Sequence, residues 1–82
     1  MTSKETEDRW TKAASDQLKG RKIVRVRYMT AAEADELGWR CRPLVLHLDD
    51  GNLIFSSEDD EGNDGGALFT NNDKTPVLPV IY

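Results

Sequence analysis

The fold is decided by residues 42–57, which read RPLVLHLDDGNLIFSS. Three leucines alternate with Val45 and His47 before the turn, and this period of two is typical of a β-strand. The Asp-Asp-Gly-Asn turn contains the Asp-Gly pair that tight hairpins with positive φ require. The sequence therefore predicts an antiparallel hairpin in which a strand over 42–49 pairs with a return strand over 53–57.

A further strand is predicted over Lys22–Met29, a segment rich in β-branched residues. Alternation places two groups of side chains on opposite faces of this strand. One face carries Val24, Val26 and Tyr28, and the other carries Ile23, Arg25, Arg27 and Met29. We expect the arginine face to lie in water.

A short helix is predicted over residues 31–37, between these strands. Thr30 and Glu33 have the spacing of a capping box, and Gly38 is a suitable C-terminal stop. Two turns of helix are not stable alone, so we expect Leu37 and Trp39 to dock on the sheet. So short a helix is also a poor crossover between parallel strands, which favours an antiparallel sheet.

An N-terminal helix is predicted over residues 4–18. Trp10 and three smaller apolar side chains recur at helical spacing and form one narrow stripe. Thr2 and Glu5 fit a capping box, and Gly20 suits the C-terminal end. Residues 1–19 are therefore expected to form a helix or a partly disordered arm.

The C-terminal third contains an acidic glycine-rich loop followed by short strands. A short strand is predicted over 67–70, and Pro76 and Pro79 make the segment 76–82 suitable only for a sheet edge. Together the elements predict an α+β fold, a bent antiparallel sheet or SH3-like barrel of four or five strands. One domain is expected over 1–82, with its β-rich core over 20–82.

Length and composition disfavour several classes of function. A chain of 82 residues has a modest core, and an enzyme-sized cavity would remove much of it. His47 is the only histidine, so it cannot anchor a zinc site alone, and no nucleophile or phosphate-binding motif occurs. Cys41 is the only cysteine, and neither a signal core nor a membrane span is present. These features lead us to expect a cytoplasmic protein without a cofactor, and they lean against an enzyme.

Charge is divided between two regions of the sequence. Residues 19–42 carry seven lysines and arginines against three acids, a net charge of +4, whereas residues 49–64 carry seven acids and no base. The basic candidates for contact with an anion or a nucleic acid are Arg21, Lys22, Arg25, Arg27, Arg40 and Arg42. The net charge of the whole chain is −4, which weighs against nucleic acid.

The acidic loop is the best functional lead in the sequence. Its candidate contact residues are Glu58, Asp59, Asp60, Glu61, Asn63 and Asp64. These oxygen-rich side chains suit calcium, but their spacing does not fit an EF-hand, because Asn71 falls where the bidentate glutamate belongs. Three interpretations therefore remain open: a solvated connection, a contact surface for a basic partner, or a weak metal or small-ligand site.

Several short motifs resemble a group of short bacterial proteins whose function is unknown. They are Gly20-Arg21-Lys22-Ile23-Val24, Leu37-Gly38-Trp39, Arg42-Pro43, Leu48-Asp49-Asp50-Gly51 and the run from Asp59 to Leu68. The resemblance implies no activity, ligand or site. The order of the predicted strands also resembles SH3-like barrels, and fold alone does not define function.

The leading functional hypothesis is a non-catalytic cytoplasmic interaction module that uses its charged faces to bind an unknown protein partner. The first alternative is a small nucleic-acid-binding barrel that uses the basic first strand. The second is a weak metal or small-ligand binder that uses the acidic loop. The sequence does not indicate the oligomeric state.

Overall fold

A computed structural model describes residues 3–82 as an α+β fold with two helices and two antiparallel sheets. One sheet has the strand order β1-β2-β3, and the other pairs β4 with β5. In chain order the elements are α1 (Lys4–Leu18), β1 (Ile23–Tyr28), α2 (Ala31–Leu37), β2 (Leu44–Leu48), β3 (Leu53–Phe55), β4 (Leu68–Phe69) and β5 (Val77–Leu78). The predicted α+β class, the antiparallel pairing and the short helix between the first two strands are confirmed. The predicted single sheet of four or five strands is not observed, because the strands of residues 3–82 divide between two sheets.

The hairpin of β2 and β3 forms as predicted, with Leu46 opposite Ile54. The Gly51 amide donates to the Leu48 carbonyl, and the Leu48 amide donates to the Asn52 carbonyl. Gly51 has a φ of +88°, and no non-glycine residue has a positive φ in the part of the chain that is described. This geometry is a turn closed by a left-handed residue, so the glycine is required there.

Replacing Gly51 with valine is expected to lower the free energy of unfolding by about 1–2 kcal/mol, because a β-branched residue resists positive φ. No other atom lies within 4 Å of the position of the added Cβ, so the cost is one of backbone conformation alone. Urea denaturation measures the loss. Gly51→Asn is the matched control and should cost less, since asparagine tolerates this region. Equal midpoints for wild type and Gly51→Val would contradict the prediction.

The capping box of α2 is confirmed. The Glu33 amide donates to Thr30 Oγ1 at 3.1 Å, and the Thr30 amide donates to Glu33 Oε1 at 2.8 Å. Gly38 ends the helix in the left-handed region, with a φ of 74°. The expectation that Leu37 docks is wrong, because its side chain is 49% exposed. Trp39 alone of the two is buried.

The core is small and lies between α2 and one face of the sheet. One buried cluster contains Met29, Ala34, Trp39 and Val45, and two leucines of β2, Leu44 and Leu48, are also buried. Val45 is opposite Arg27 in the register, so the cluster lies on the arginine face of β1. The expectation that the arginine face lies in water is therefore wrong at Arg27, whose side chain is 20% exposed. The arginine face of β1 is continued by Met29, which is buried, so alternation alone does not decide which face the helix covers.

The N-terminal helix α1 projects from the sheets and buries none of its residues. Its N-cap is Ser3, whose hydroxyl accepts the Thr6 amide proton at 3.1 Å. The predicted cap at Thr2 lies outside the described residues. At the other end Gly20 has the positive φ expected of a helix stop. Trp10, the largest apolar side chain of the helix, is 62% exposed.

The C-terminal strands form a sheet of their own. Phe69 is opposite Val77, and a separate bridge joins Arg42 to Ile81. The Tyr28 hydroxyl donates to the Pro79 carbonyl at 2.8 Å and ties this segment to β1. Over residues 3–82 the strands stay in two sheets and do not close into a barrel.

Candidate functional site

The acidic loop over residues 58–64 is closed at its base by main-chain pairing. Ser57 and Gly65 form an antiparallel bridge. The Glu58 amide donates to the Asp64 carbonyl at 2.9 Å, and the Gly66 amide donates to the Ser56 carbonyl at 3.0 Å. We call residues 56–58 with 64–66 the loop neck. Because both sides of the neck are hydrogen-bonded, the loop is a defined structure.

Two of the acids in this loop are occupied by main-chain amides. Asp64 Oδ1 accepts from the amides of Arg40 at 3.1 Å, Cys41 at 2.9 Å and Gly65 at 2.8 Å. The Cys41 amide is the largest cause of the lowered pKa of Asp64. Asp64 therefore fastens the loop to the connection between α2 and β2.

Asp59 has the same role inside the loop. It accepts hydrogen bonds from the Asn63 side chain at 2.7 Å and from the Glu61 amide at 3.0 Å. The Asn63 side chain is the largest cause of the lowered pKa of Asp59. Three of the six candidate residues thus hold the loop together. The other three project into solvent, and they are Glu58, Asp60 and Glu61.

Trp39 joins the acidic loop to the core. Its indole Nε1 donates to the Gly62 carbonyl at 2.7 Å, and its ring meets Phe55 edge to face with centroids 5.9 Å apart. One side chain therefore contacts β3, the loop and the end of α2. Within residues 3–82, no group of three or more histidine, cysteine, aspartate or glutamate side chains is placed to hold a metal ion.

The six basic candidates do not form one surface, because half of them are engaged elsewhere. Arg21 lies 3.6 Å from Asp49 and 3.8 Å from Asp50. Arg42 donates to the Met29 carbonyl at 3.3 Å. Arg27 lies 2.8 Å from Glu33. The remaining three are exposed and have no acidic partner within the described residues, and they are Lys22, Arg25 and Arg40.

Arg27 joins β1, β2 and α2 in a polar network that sequence reasoning missed. Its Nη1 and Nη2 donate to the two Glu33 oxygens at 2.8 and 3.1 Å, and its Nε donates to His47 Nε2 at 3.0 Å. His47 is therefore the hydrogen-bond acceptor for Arg27 on β2. The signal available in the sequence was the alternation of side chains along the strands. It places Arg27, Val45 and His47 on the same face of the sheet, which is the face that α2 covers.

The pKa of Glu33 is lowered to about 2, first by the bidentate bond from Arg27 and then by the Thr30 amide. A carboxyl group whose pKa is depressed by folding stabilises the fold above its unfolded pKa, and this contribution disappears as the pH falls through the folded value. We therefore expect the Glu33 contribution to be present at neutral pH and to be lost between about pH 4.5 and pH 2.

The measurement is urea denaturation of wild type and Glu33→Gln across this range of pH. Other lowered carboxyl groups titrate equally in both proteins, so the difference between the two isolates Glu33. The stability difference should shrink steadily from pH 5 to pH 2. A difference that does not change with pH would show that the ionised carboxylate is not what stabilises α2.

The first part of β1 exposes three apolar side chains, which we call the β1 patch: Ile23, Val24 and Val26. These side chains are 57%, 63% and 54% exposed. The alternation predicted for Ile23 is wrong, because the register shifts between Ile23 and Arg25. Ile23 is therefore opposite Leu48, on the sheet face that Val26 shares with Leu46. β1 is an edge strand, since only β2 pairs with it. A contiguous apolar surface on a free edge is typical of a contact site.

Two concave regions are too poorly walled for a small-molecule site. A cleft between α2 and Arg42 has a volume of about 200 Å³, below the roughly 300–1,000 Å³ of typical ligand pockets. A gap of about 570 Å³ is bordered by Trp10 and Asp60 alone, so it is open space between α1 and the acidic loop. Neither region favours a substrate cavity.

Comparison of the chain with protein-family models, curated proteins and solved structures finds no match. No helix within residues 3–82 is both long and apolar enough to cross a membrane. The function of the chain has to be inferred from its own surfaces.

Proposed function

We propose that this chain is a non-catalytic cytoplasmic interaction module, and that the β1 patch is its principal contact surface for another protein. The observation that carries this proposal is the accessible area of the chain. It exposes 6477 Å². A monomer of this mass exposes about 4,900 Å², so the surplus is about 1,500 Å².

The surplus accessible area is larger than the area that one protein buries in a standard interface. One partner contributes about 800 Å² to a standard interface. The radius of gyration, 14.3 Å, also exceeds the roughly 12 Å of a compact chain of this length. α1 buries no residue and the β1 patch is more than half exposed, so both contribute to this accessible area. When a partner covers these surfaces, apolar area is removed from water and the free energy falls.

The charged faces proposed from the sequence have a secondary place in this function. Glu58, Asp60 and Glu61 project from a loop that is fixed at its base, so they can select a partner by charge. The nucleic-acid and metal alternatives gain no comparable support, because the basic side chains are dispersed and the loop oxygens of Asp59 and Asp64 are already occupied. The SH3-like likeness remains a prediction from strand order.

The test is affinity capture from cytoplasmic extract with the full chain and single substitutions. Val26→Lys places a charge in the β1 patch, and Phe69→Lys is the matched control at another exposed apolar position, 81% exposed on β4. We expect a protein that wild type and Phe69→Lys retain and Val26→Lys loses. Equal capture by Val26→Lys would contradict the β1 patch. Loss with Asp60→Lys instead would move the contact to the acidic loop.

A further inference from the structure

We propose that β1 binds its partner by strand addition, and that the added strand alternates apolar and acidic residues. This inference rests on the proposed function, because it names the kind of partner that the β1 patch takes. It is carried by three observations: the direction of the free main-chain groups, the apolar face beside them, and the charge of the opposite face.

The register shows which main-chain groups of β1 are free. The Met29 amide donates to the Pro43 carbonyl, which makes that pair a hydrogen-bonded one. Hydrogen-bonded and non-hydrogen-bonded pairs alternate along an antiparallel ladder. Arg27 and Arg25 therefore direct their main-chain groups toward β2. The main-chain amides of Val26 and Tyr28 point away from the sheet, where an added strand can pair with them. The alternation does not extend to Val24, because the register shifts between Ile23 and Arg25. The Tyr28 carbonyl already accepts from Arg27 Nη1 at 3.2 Å.

The two faces of β1 differ at this edge. Val26 lies on the opposite face of the sheet from Arg25 and is 54% exposed, and Val24 beside it is 63% exposed. Arg25 lies on the other face and has no acidic partner within the described residues, whereas Arg27 beside it is already neutralised by Glu33. An incoming strand meets apolar side chains on one face and an unpaired guanidinium on the other. Alternating valine and glutamate satisfies both requirements.

Charge disfavours a second copy of this chain at the same edge. An antiparallel two-fold pairing of β1 with β1 centred on Val26 places Arg25 of each copy opposite Arg27 of the other, on the same face. Because Glu33 already pairs with Arg27, this arrangement leaves Arg25 of each copy opposite a second guanidinium and without a carboxylate. An acidic strand supplies the carboxylate that a second copy does not, which gives the edge selectivity.

The experiment follows the backbone amides of the full chain while two synthetic heptapeptides are titrated. The probe is Thr-Val-Glu-Val-Glu-Val-Thr, and its matched control is Thr-Val-Lys-Val-Lys-Val-Thr. We expect saturable shifts on β1 with the acidic peptide only. We also expect about tenfold slower exchange of the Val26 and Tyr28 amides, with little change at Arg25, whose amide is already bonded to β2.

Two substitutions test the mechanism without requiring a change of fold. Val26→Pro removes an outward amide, which an edge strand tolerates, and should abolish binding, whereas Val26→Thr retains the amide and should bind. Arg25→Glu should reverse the preference in favour of the lysine peptide.

Equal shifts with both peptides, or binding that survives Val26→Pro, would overturn the proposal. So would a concentration-dependent dimer with protected β1 amides, or stronger shifts with decathymidylate than with the acidic peptide. The interaction-module proposal has a separate outcome: a captured protein that Val26→Lys loses supports it even if the acidic peptide fails to bind.

Discussion

Replacing Trp39 with alanine should lower the free energy of unfolding by about 3–5 kcal/mol, the range for truncation of a large aromatic core residue. Trp39 is only 8% exposed and is one of four residues in the core cluster. A typical domain has about 5–15 kcal/mol of stability in total, and a chain with so small a core belongs near the lower limit. We therefore expect Trp39→Ala to be largely unfolded at 37 °C, measured by circular dichroism and urea denaturation.

The other tryptophan provides the control. Trp10 is 62% exposed, so Trp10→Ala should change stability by no more than about 0.5 kcal/mol. Trp39→Phe keeps an aromatic ring in the core and removes the bond to the Gly62 carbonyl, which should cost about 0.5–1.5 kcal/mol. Hydrogen exchange in the acidic loop should accelerate in this variant. Similar losses in Trp10→Ala and Trp39→Ala would show that Trp39 does not organise the core.

The local elements of this fold could be predicted because each has a signal within a few residues. The Asp-Gly pair and the alternation around it were sufficient for the hairpin of β2 and β3. Thr30 and Glu33 were sufficient for the cap of α2. Both signals act through hydrogen bonds and backbone angles of neighbouring residues, so they do not depend on packing against distant parts of the chain. The predicted elements consequently form, although β2 and β3 are shorter than predicted.

The packing of β1 could not be predicted from its own residues. Alternation separates Val24 and Val26 from Arg25 and Arg27, and burial of the valines is the ordinary outcome. The structure buries the arginine side at Arg27 because the carboxylate of Glu33, five residues beyond β1, accepts two of its hydrogen bonds. A pair of residues on different elements decides the face, and single-strand periodicity contains no information about such a pair.

The amino-acid composition predicted which residues form the candidate site, but not what each of them does there. Counting acids identified the loop, and the sequence does not distinguish side chains that bind main-chain amides from those that face solvent. Asp59 accepts from the Glu61 amide two residues later, which is the pattern of an Asx turn, and this was the signal available in the sequence. Asp64 reaches amides more than twenty residues away in the sequence, so its role is a tertiary feature. The β1 patch was missed because its residues looked like core.

The loop neck should be the most sensitive backbone position outside the core, and Gly66→Ala tests it. A Cβ at Gly66 would lie 2.8 Å from the carbonyl carbon and oxygen of Ser57 and 3.0 Å from the Glu58 nitrogen. These are main-chain atoms, which cannot rotate aside as a flexible side chain can. We expect a loss of about 3 kcal/mol, the upper part of the range for overpacking.

Gly38→Ala is the matched control for Gly66→Ala, because both substitutions add one methyl group to a glycine. No atom lies within 4 Å of a Cβ at Gly38, and its only cost is a φ of +74°, about 1 kcal/mol. Opening the neck should also release Asp64 from its amide donors, so exchange of the Arg40 and Cys41 amides should accelerate in Gly66→Ala and not in Gly38→Ala. If both variants lose the same stability and leave those two amides protected, the neck does not hold the acidic loop in place.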